Sequence, residues 1–218
     1  QPDLTHRVTV QQGNSAYPHA SGIYDFVPAG GGTVTRRDVV ATATCNGCHN
    51  ELSAHGTRVD TKLCVTCHNP GSWVAGTPRT TVDFKVMIHR IHYNAAGAAL
   101  PSVAAGTPYR IGSADFSAVV FPQDVRNCSK CHDGTAGAAS STVATAQGDN
   151  WKLQPGIEAC GSCHDNVYFG ATPDAAKPYQ KKAHTGGVMT DSSACGICHA
   201  AGRYTDKKDI VVAHSFPA

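Results

Sequence analysis

Polar and apolar positions follow a regular period in only a few short stretches of this chain. Arg7-Val8-Thr9-Val10 and Ile23-Tyr24-Asp25-Phe26-Val27 alternate with the two-residue period of a strand, and Gly30-Gly31-Gly32 marks a turn after them. From Val82 to Tyr93 the period lengthens. Phe84, Met87, Ile88 and Ile91 recur at helical spacing behind Asp83, whose charge suits a helix N-terminus. Modest strand signals run from 109 to 121 and end at Val119-Val120-Phe121. Much of the remainder is punctuation: a Gly/Pro-rich turn region over 69–80, an Ala/Gly/Pro-rich connector from Asn94 to Pro108, and a small, polar loop over 133–150 that includes Ala138-Ala139-Ser140-Ser141-Thr142. The pattern predicts a mostly irregular fold with short α-helices and little sheet.

Composition explains how such a chain can still fold. With 22 glycines, 12 prolines and 7% aromatic residues in 218, it is poor material for a side-chain core, although its length suits one large domain or two small ones. Something other than side chains must supply apolar mass.

The cysteines supply the candidate. Cys45-Asn46-Gly47-Cys48-His49 is followed nineteen residues later by Cys64-Val65-Thr66-Cys67-His68, and the unit returns as Cys128-Ser129-Lys130-Cys131-His132, Cys160-Gly161-Ser162-Cys163-His164 and Cys195-Gly196-Ile197-Cys198-His199. Two cysteines three apart with histidine next is the attachment signature of c-type haem: the thiols form thioethers and the imidazole becomes the proximal iron ligand. A single copy also fits a thioredoxin-like pair or half a zinc site. Five copies that consume all ten cysteines favour five covalently attached haem c groups. Each large apolar macrocycle then replaces core, and the apoprotein is expected to be largely unfolded. This divides the chain into an N-terminal β-rich or extended segment, 1–40, and a pentahaem domain, 41–218.

Seven of the twelve histidines lie outside the motifs. His55 precedes Gly56 between the first two motifs, His89 and His92 stand three apart on the predicted helix, His184 precedes two glycines, and His214 follows the apolar run Ile210-Val211-Val212. These five are the expected distal ligands, leaving His6 and His19 over. The count permits five six-coordinate, low-spin haems without fixing their pairing. Two strong imidazoles per iron suit one-electron transfer, and about one haem per 44 residues makes close spacing and a connected electron wire the expectation. Among other side chains, Arg58, Lys181 and Lys182 are candidate propionate contacts or simply solvated cations, Trp151 a haem neighbour or a core aromatic, and Phe84 and Met87 packing residues.

Charge narrows the partners. Eighteen basic against sixteen acidic residues give +2, and oxidised haems with ionised propionates, contributing about −1 each, bring the holoprotein near −3. That argues against nucleic acid and allows redox proteins, flavins or metal oxides and complexes. No stretch has the eighteen or more apolar residues of a membrane helix, and the first thirty residues lack the layout of a secretory signal. A chain with this many haems is expected outside the cytoplasm of a bacterium, so a removed signal, or a piece of a longer protein, is implied.

Several stretches together resemble a known family. Asp25-Phe26-Val27-Pro28, Arg36-Arg37-Asp38-Val39-Val40, Leu52 with His55-Gly56 after the first motif, Cys64 to Pro70, Phe84 to His92, and Phe121-Pro122-Gln123-Asp124-Val125-Arg126-Asn127-Cys128 are similar to the outer-membrane decahaem cytochromes of dissimilatory metal reduction. The resemblance spans most of 23–214 and is most specific in the first 132 residues. It implies a cell-surface or outer-membrane protein, otherwise a periplasmic one. The implied role is passing electrons to metal oxides, soluble metal complexes or flavins, with His55, His89, His92, His184 and His214 as distal ligands. Those relatives alternate two pentahaem domains with β-barrel-like domains, whereas this chain carries one pentahaem unit. The competing readings are a multihaem reductase with one open-coordinate haem and a docking or electron-storage module.

Overall fold

The computed structural model describes residues 1–13, 16–75, 79–93, 99–134 and 143–215. Two strands, β1 (His6–Gln12) and β2 (Ala20–Phe26), pair antiparallel with His6 opposite Phe26 and Gln12 opposite Ala20. Both predicted strands are therefore present, but β1 turns its polar side inward and β2 sets Ile23 beside Asp25 on its inner side. Val8, Val10 and Tyr24 point outward, while Arg7, Thr9, Gln11 and Asp25 turn inward. Of the inward polar groups, Asp25 and Gln11 are paired, while the buried Ser21 hydroxyl has no hydrogen-bond partner among the described residues. Asp25 accepts from Arg7 Nε (2.6 Å) and Nη2 (2.9 Å) and from Arg36 Nε (3.0 Å), and Gln11 bonds Thr57 and Arg58. The arginines hold the Asp25 carboxyl below its usual range, chiefly through the Arg7 hydrogen bond.

Two helices follow, α1 (Thr42–His49) and α2 (Thr61–Cys67). Asp60 caps α2 by accepting from Lys62 N, and the Thr42 hydroxyl meets Asp60, Thr61 N and the Thr61 hydroxyl, fastening the two helix starts together. Arg7 donates to the Lys62 carbonyl, seating the hairpin on α2.

The chain divides into two compact units, Gln1–Asn69 with Ser129–Asn150, and Pro70–Cys128 with Trp151–Ala218; the division falls inside the third cysteine motif. In the first unit the segment after that motif returns to the start of the first. Asp38 and Gln147 exchange hydrogen bonds, Thr145 donates to the Val39 carbonyl, and Val143 N donates to Thr44.

In the second unit short pairings β3 (Trp73–Val74) with β4 (Thr80–Thr81) precede α3 (Phe84–Ile91). The predicted helix lies inside the expected 82–93 span because Asp83 caps it, accepting from Lys85 N at 3.0 Å. Phe84 and Met87 are half-buried there. Next come α4 (Pro101–Ala104), with proline at its start, and the tight hairpin β5 (Arg110–Ile111) with β6 (Ala114–Asp115). The expected strand character of 109–121 is confined to these four residues: Val119 and Val120 lie in exposed irregular chain without a strand partner, so β-propensity finds no edge to join. Then follow α5 (Asn150–Leu153), α6 (Ile157–Cys163), the parallel pair β7 (Val167–Tyr168) with β8 (Lys182–Ala183), α7 (Cys195–His199) and α8 (Ile210–Ala213). The stretch 138–142, and residues 94–98 of the expected connector, lie outside the described residues.

Among the described residues, Leu63, Val82, Leu100, Tyr109 and Ala200 are the buried hydrophobic ones. That is a small core, as the composition predicts. What organises the second unit is polar. Arg90 on α3 lies 3.1 Å from Asp165, with the two side chains 14% and 2% exposed. Asp165 also accepts from Ser102 N (3.0 Å), Arg90 donates to the Ser102 hydroxyl (3.1 Å), and the Arg90 guanidinium covers the Tyr109 ring at 4.5 Å. Burial pushes the Tyr109 hydroxyl up to about 12. Among the described residues Asp165 Oδ2 makes no hydrogen bond of good alignment, so its attraction to Arg90 is coulombic.

Candidate haem sites

Four motifs begin on a helix: Cys45 and Cys48 on α1, Cys64 and Cys67 on α2, Cys160 and Cys163 on α6, Cys195 and Cys198 on α7; Cys128 opens a 3₁₀ turn, Cys128–Lys130. Helical spacing explains the motif. Positions i, i+3 and i+4 share one face, so both thiols and the imidazole are presented together. No cysteine is in a disulfide. Burial pushes the Cys163 thiol up to about 12 and raises Cys45, Cys64, Cys131, Cys160 and Cys195, so these are not activated thiolates.

The structure brings three motif histidines to three of the expected distal histidines. His55 and His68 have ring centroids 6.0 Å apart with planes 25° apart. His164 and His214 are 6.2 Å apart, and His184 and His199 6.1 Å. Two imidazoles bound through Nε2 to opposite faces of one metal, with bonds of about 2.0 Å, would place their centroids about 6.2 Å apart. All three separations match. Each joins one motif residue to one residue outside the motifs, which chance packing does not require.

Local hydrogen bonds aim the rings. His92 Nδ1 donates to the Ile88 carbonyl (2.9 Å), His214 Nδ1 to Ile210 (2.8 Å), His199 Nδ1 to Lys208 (2.7 Å) and His184 Nδ1 to Gly187 (3.2 Å). A carbonyl only accepts, so Nδ1 carries the proton and the Nε2 lone pair is left for a metal. Burial lowers the pKa of His132; burial, then the neighbouring His214, lowers that of His164. Both favour the neutral, ligating form.

Each expected distal residue has its own local setting. At His55 the backbone takes φ 49°, a left-handed conformation uncommon outside glycine, and Gly56 follows at 85°. Ala54 and Arg58 close that turn by exchanging backbone hydrogen bonds. Pairing of β7 with β8 delivers His184, whose ring lies 5.2 Å from Phe169. Asp209, 1% exposed, caps α8 through Val211 N (2.9 Å) and Val212 N (3.4 Å), ahead of His214. Burial opposes its charge, but the backbone N–H groups of Val211, Val212, Gly202 and Arg203 outweigh that and hold its carboxyl below the usual range. His89 lies in the last turn of α3 and His92 at its C-cap, with Arg90 of the buried pair between them. His49 ends α1.

Other candidates fall as follows. Arg58 donates to Gln11, and Lys181 and Lys182 are exposed. Trp151 is half-buried with its indole N–H shielded and without an acceptor among the described residues. His6 bonds the Gln1 carbonyl instead. Asp165, Asp209 and the Lys208 carbonyl carry no motif that marks them in the sequence. Asp165 directly follows the fourth motif, which was the available signal.

Among the described residues, no three His, Cys, Asp or Glu side chains converge as around a free metal ion. Paired imidazoles beside paired helical thiols instead define a multihaem c-type cytochrome, and the donor set fits haem. The model of the outer membrane cytochrome MtrC/MtrF-like family, domains II/IV, matches residues 37–214, and the chain belongs to that family. Its setting is therefore the bacterial outer membrane, outside the cytoplasm. It is 27% identical to the multihaem cytochrome MtrC of Shewanella baltica (strain OS185) over 95% of its length, covering 27% of that protein. The crystal structure of the outer membrane decahaem cytochrome OmcA matches with a TM-score of 0.61 and 25% identity over 86% of this chain and 28% of OmcA. The crystal structure of MtrC from Shewanella baltica OS185 shares the fold, with a TM-score of 0.56 and 24% identity over 91% of this chain and 27% of that one. The chain thus spans about a quarter of the length of these relatives. Among the described residues no helix is long and apolar enough to cross a membrane.

Proposed function

We propose that this chain is a pentahaem electron conduit, with residues 41–218 as its haem domain, passing single electrons toward extracellular acceptors. The observation that carries this reading is the set of three motif-to-distal histidine pairs at 6.0–6.2 Å. In it the ten cysteines hold five haems covalently, and His49, His68, His132, His164 and His199 are the proximal ligands. His55, His89, His92, His184 and His214 are the distal ones. Bound haem supplies one-electron exchange between ferric and ferrous iron. The protein's part is to fix the ligands. Carbonyls of Ile88, Gly187, Lys208 and Ile210 hold ring orientation, and the Asp209 cap and the Arg90–Asp165 pair hold the segments that carry the rings. Ten histidines for five haems would leave no iron short of a second imidazole, which supports electron transfer over classical enzyme catalysis.

The acceptors we assign are redox proteins, flavins and oxidised metal oxides or complexes. Stopped-flow mixing of the reduced holoprotein with a flavin and with a ferric chelate tests this. Multiphasic oxidation accounting for five electrons per chain is expected; failure to deliver electrons to either acceptor would refute it.

A further inference from the structure

A cavity of about 350 Å³ opens in the first unit beside the second haem-attachment segment. Its lining includes Arg7, Asp25, Arg36, Arg37, Val65 and Thr66. Three guanidinium groups and one carboxylate line it, and Asp38 and Asp60 act on Arg7 from outside the lining. The donors are unequally used. Arg7 is spent, with Nε and Nη2 on Asp25 and Nη1 on the Lys62 carbonyl. Arg36 commits only Nε, and Arg37, exposed, makes no hydrogen bond or ion pair among the described residues. Two guanidinium forks therefore remain available, and such forks match carboxylates two bonds at a time. At the wall, Thr5 and Thr35 are joined by a hydrogen bond from Thr35 N to the Thr5 hydroxyl oxygen. The cavity is of the size that takes a small molecule. Val65 and Thr66 lie between Cys64 and Cys67, so an occupant rests directly against the attachment segment.

We propose that this cavity is a docking site for a small polycarboxylate anion, specifically a soluble ferric polycarboxylate chelate acting as electron acceptor, held by Arg36 and Arg37. The proposal rests on the electron-conduit reading and adds the place and chemical class of one acceptor. One electron leaves the reduced protein and the chelate's ferric ion becomes ferrous; no bond is made or broken.

The test separates binding from electron flow. Gallium(III) citrate, which cannot accept the electron, is titrated into oxidised holoprotein by calorimetry. Saturable binding at one site, weakened by added salt, is expected. Arg36→Gln/Arg37→Gln should weaken it at least tenfold and Arg37→Gln alone about threefold, while the charge-matched exposed control Lys177→Gln/Lys207→Gln should not. Arg37→Gln removes no contact among the described residues, so its effect does not depend on folding. Absence of binding to the natural sequence, or equal weakening by the control, overturns the site. So does unchanged gallium citrate affinity in the double variant accompanied by a shifted haem redox titration, which would assign the arginines to haem carboxylates. In parallel, the reduced natural protein is mixed with ferric citrate and with the cation hexaammineruthenium(III). Transfer to both without gallium citrate binding leaves the conduit standing and removes the site; transfer to neither removes the conduit itself.

Discussion

Replacing Asp165 by asparagine should destabilise the holoprotein far more than its size change suggests. The substitution retains an oxygen for the Ser102 N–H bond (3.0 Å) but removes the charge that faces Arg90 at 3.1 Å. Arg90 is then a guanidinium only 14% exposed, its remaining contacts the Ser102 hydroxyl and the Tyr109 ring face. Removing one member of a buried pair typically costs about 3–5 kcal/mol, because the other charge stays desolvated. With the Ser102 bond kept, a value near 3 kcal/mol is expected. Removing both charges, as in Arg90→Met/Asp165→Asn, should recover more than half of the loss, since no unpaired charge remains. Guanidinium unfolding of the holoprotein, followed by visible circular dichroism at constant slope, measures both. A loss below about 1 kcal/mol for Asp165→Asn, or a double variant worse than the sum of the singles, would refute a buried, coupled pair.

Three further outcomes follow from the same geometry. Lys85 and Glu158 also pair, at 3.3 Å, but with side chains 31% and 52% exposed, so Lys85→Ala should cost less than about 1 kcal/mol in the same unfolding assay. Because Asp25 has its pKa lowered from 3.8, its stabilisation is present above the unfolded value and disappears as pH falls through the folded one. In unfolding midpoints measured against pH, Asp25→Asn should therefore be less stable than the natural protein at neutral pH and converge with it in acid. A Cβ on Gly148 would overlap the Asp133 carbonyl next to His132, so Gly148→Ala should lower yield and thermal stability, whereas alanine at Gly196, whose nearest neighbours are 3.8 and 3.9 Å away, should leave both unchanged.

What the sequence could disclose divides along locality. The cysteine–histidine motifs were legible because two thiols and an imidazole that share one helical face fall within five residues. The two N-terminal strands and α3 were legible from period, and α3's start from Asp83, whereas the antiparallel pairing of the strands was not. Direction of facing was not: alternation places Val8 and Arg7 on opposite faces, but Asp25, 18 residues from Arg7, makes the polar face the inner one. Ring pairing was equally hidden. His55 lies 13 residues from His68, whereas His214 lies 50 from His164 with β7, β8, α7 and α8 between. Arg90 and Asp165 are remote in the chain, and neither carries a local pattern marking it as buried. Asp209 does follow a local rule, that of a helix N-cap, but α8 has only four residues and its period is too short to read.

The central claim is that five haems each sit between two histidines. Electron paramagnetic resonance of the fully oxidised holoprotein, integrated against measured haem content, addresses it most directly. The account predicts five low-spin ferric centres per chain. A high-spin centre present at one per chain would contradict it and place an open coordination site, and with it substrate chemistry, in the protein.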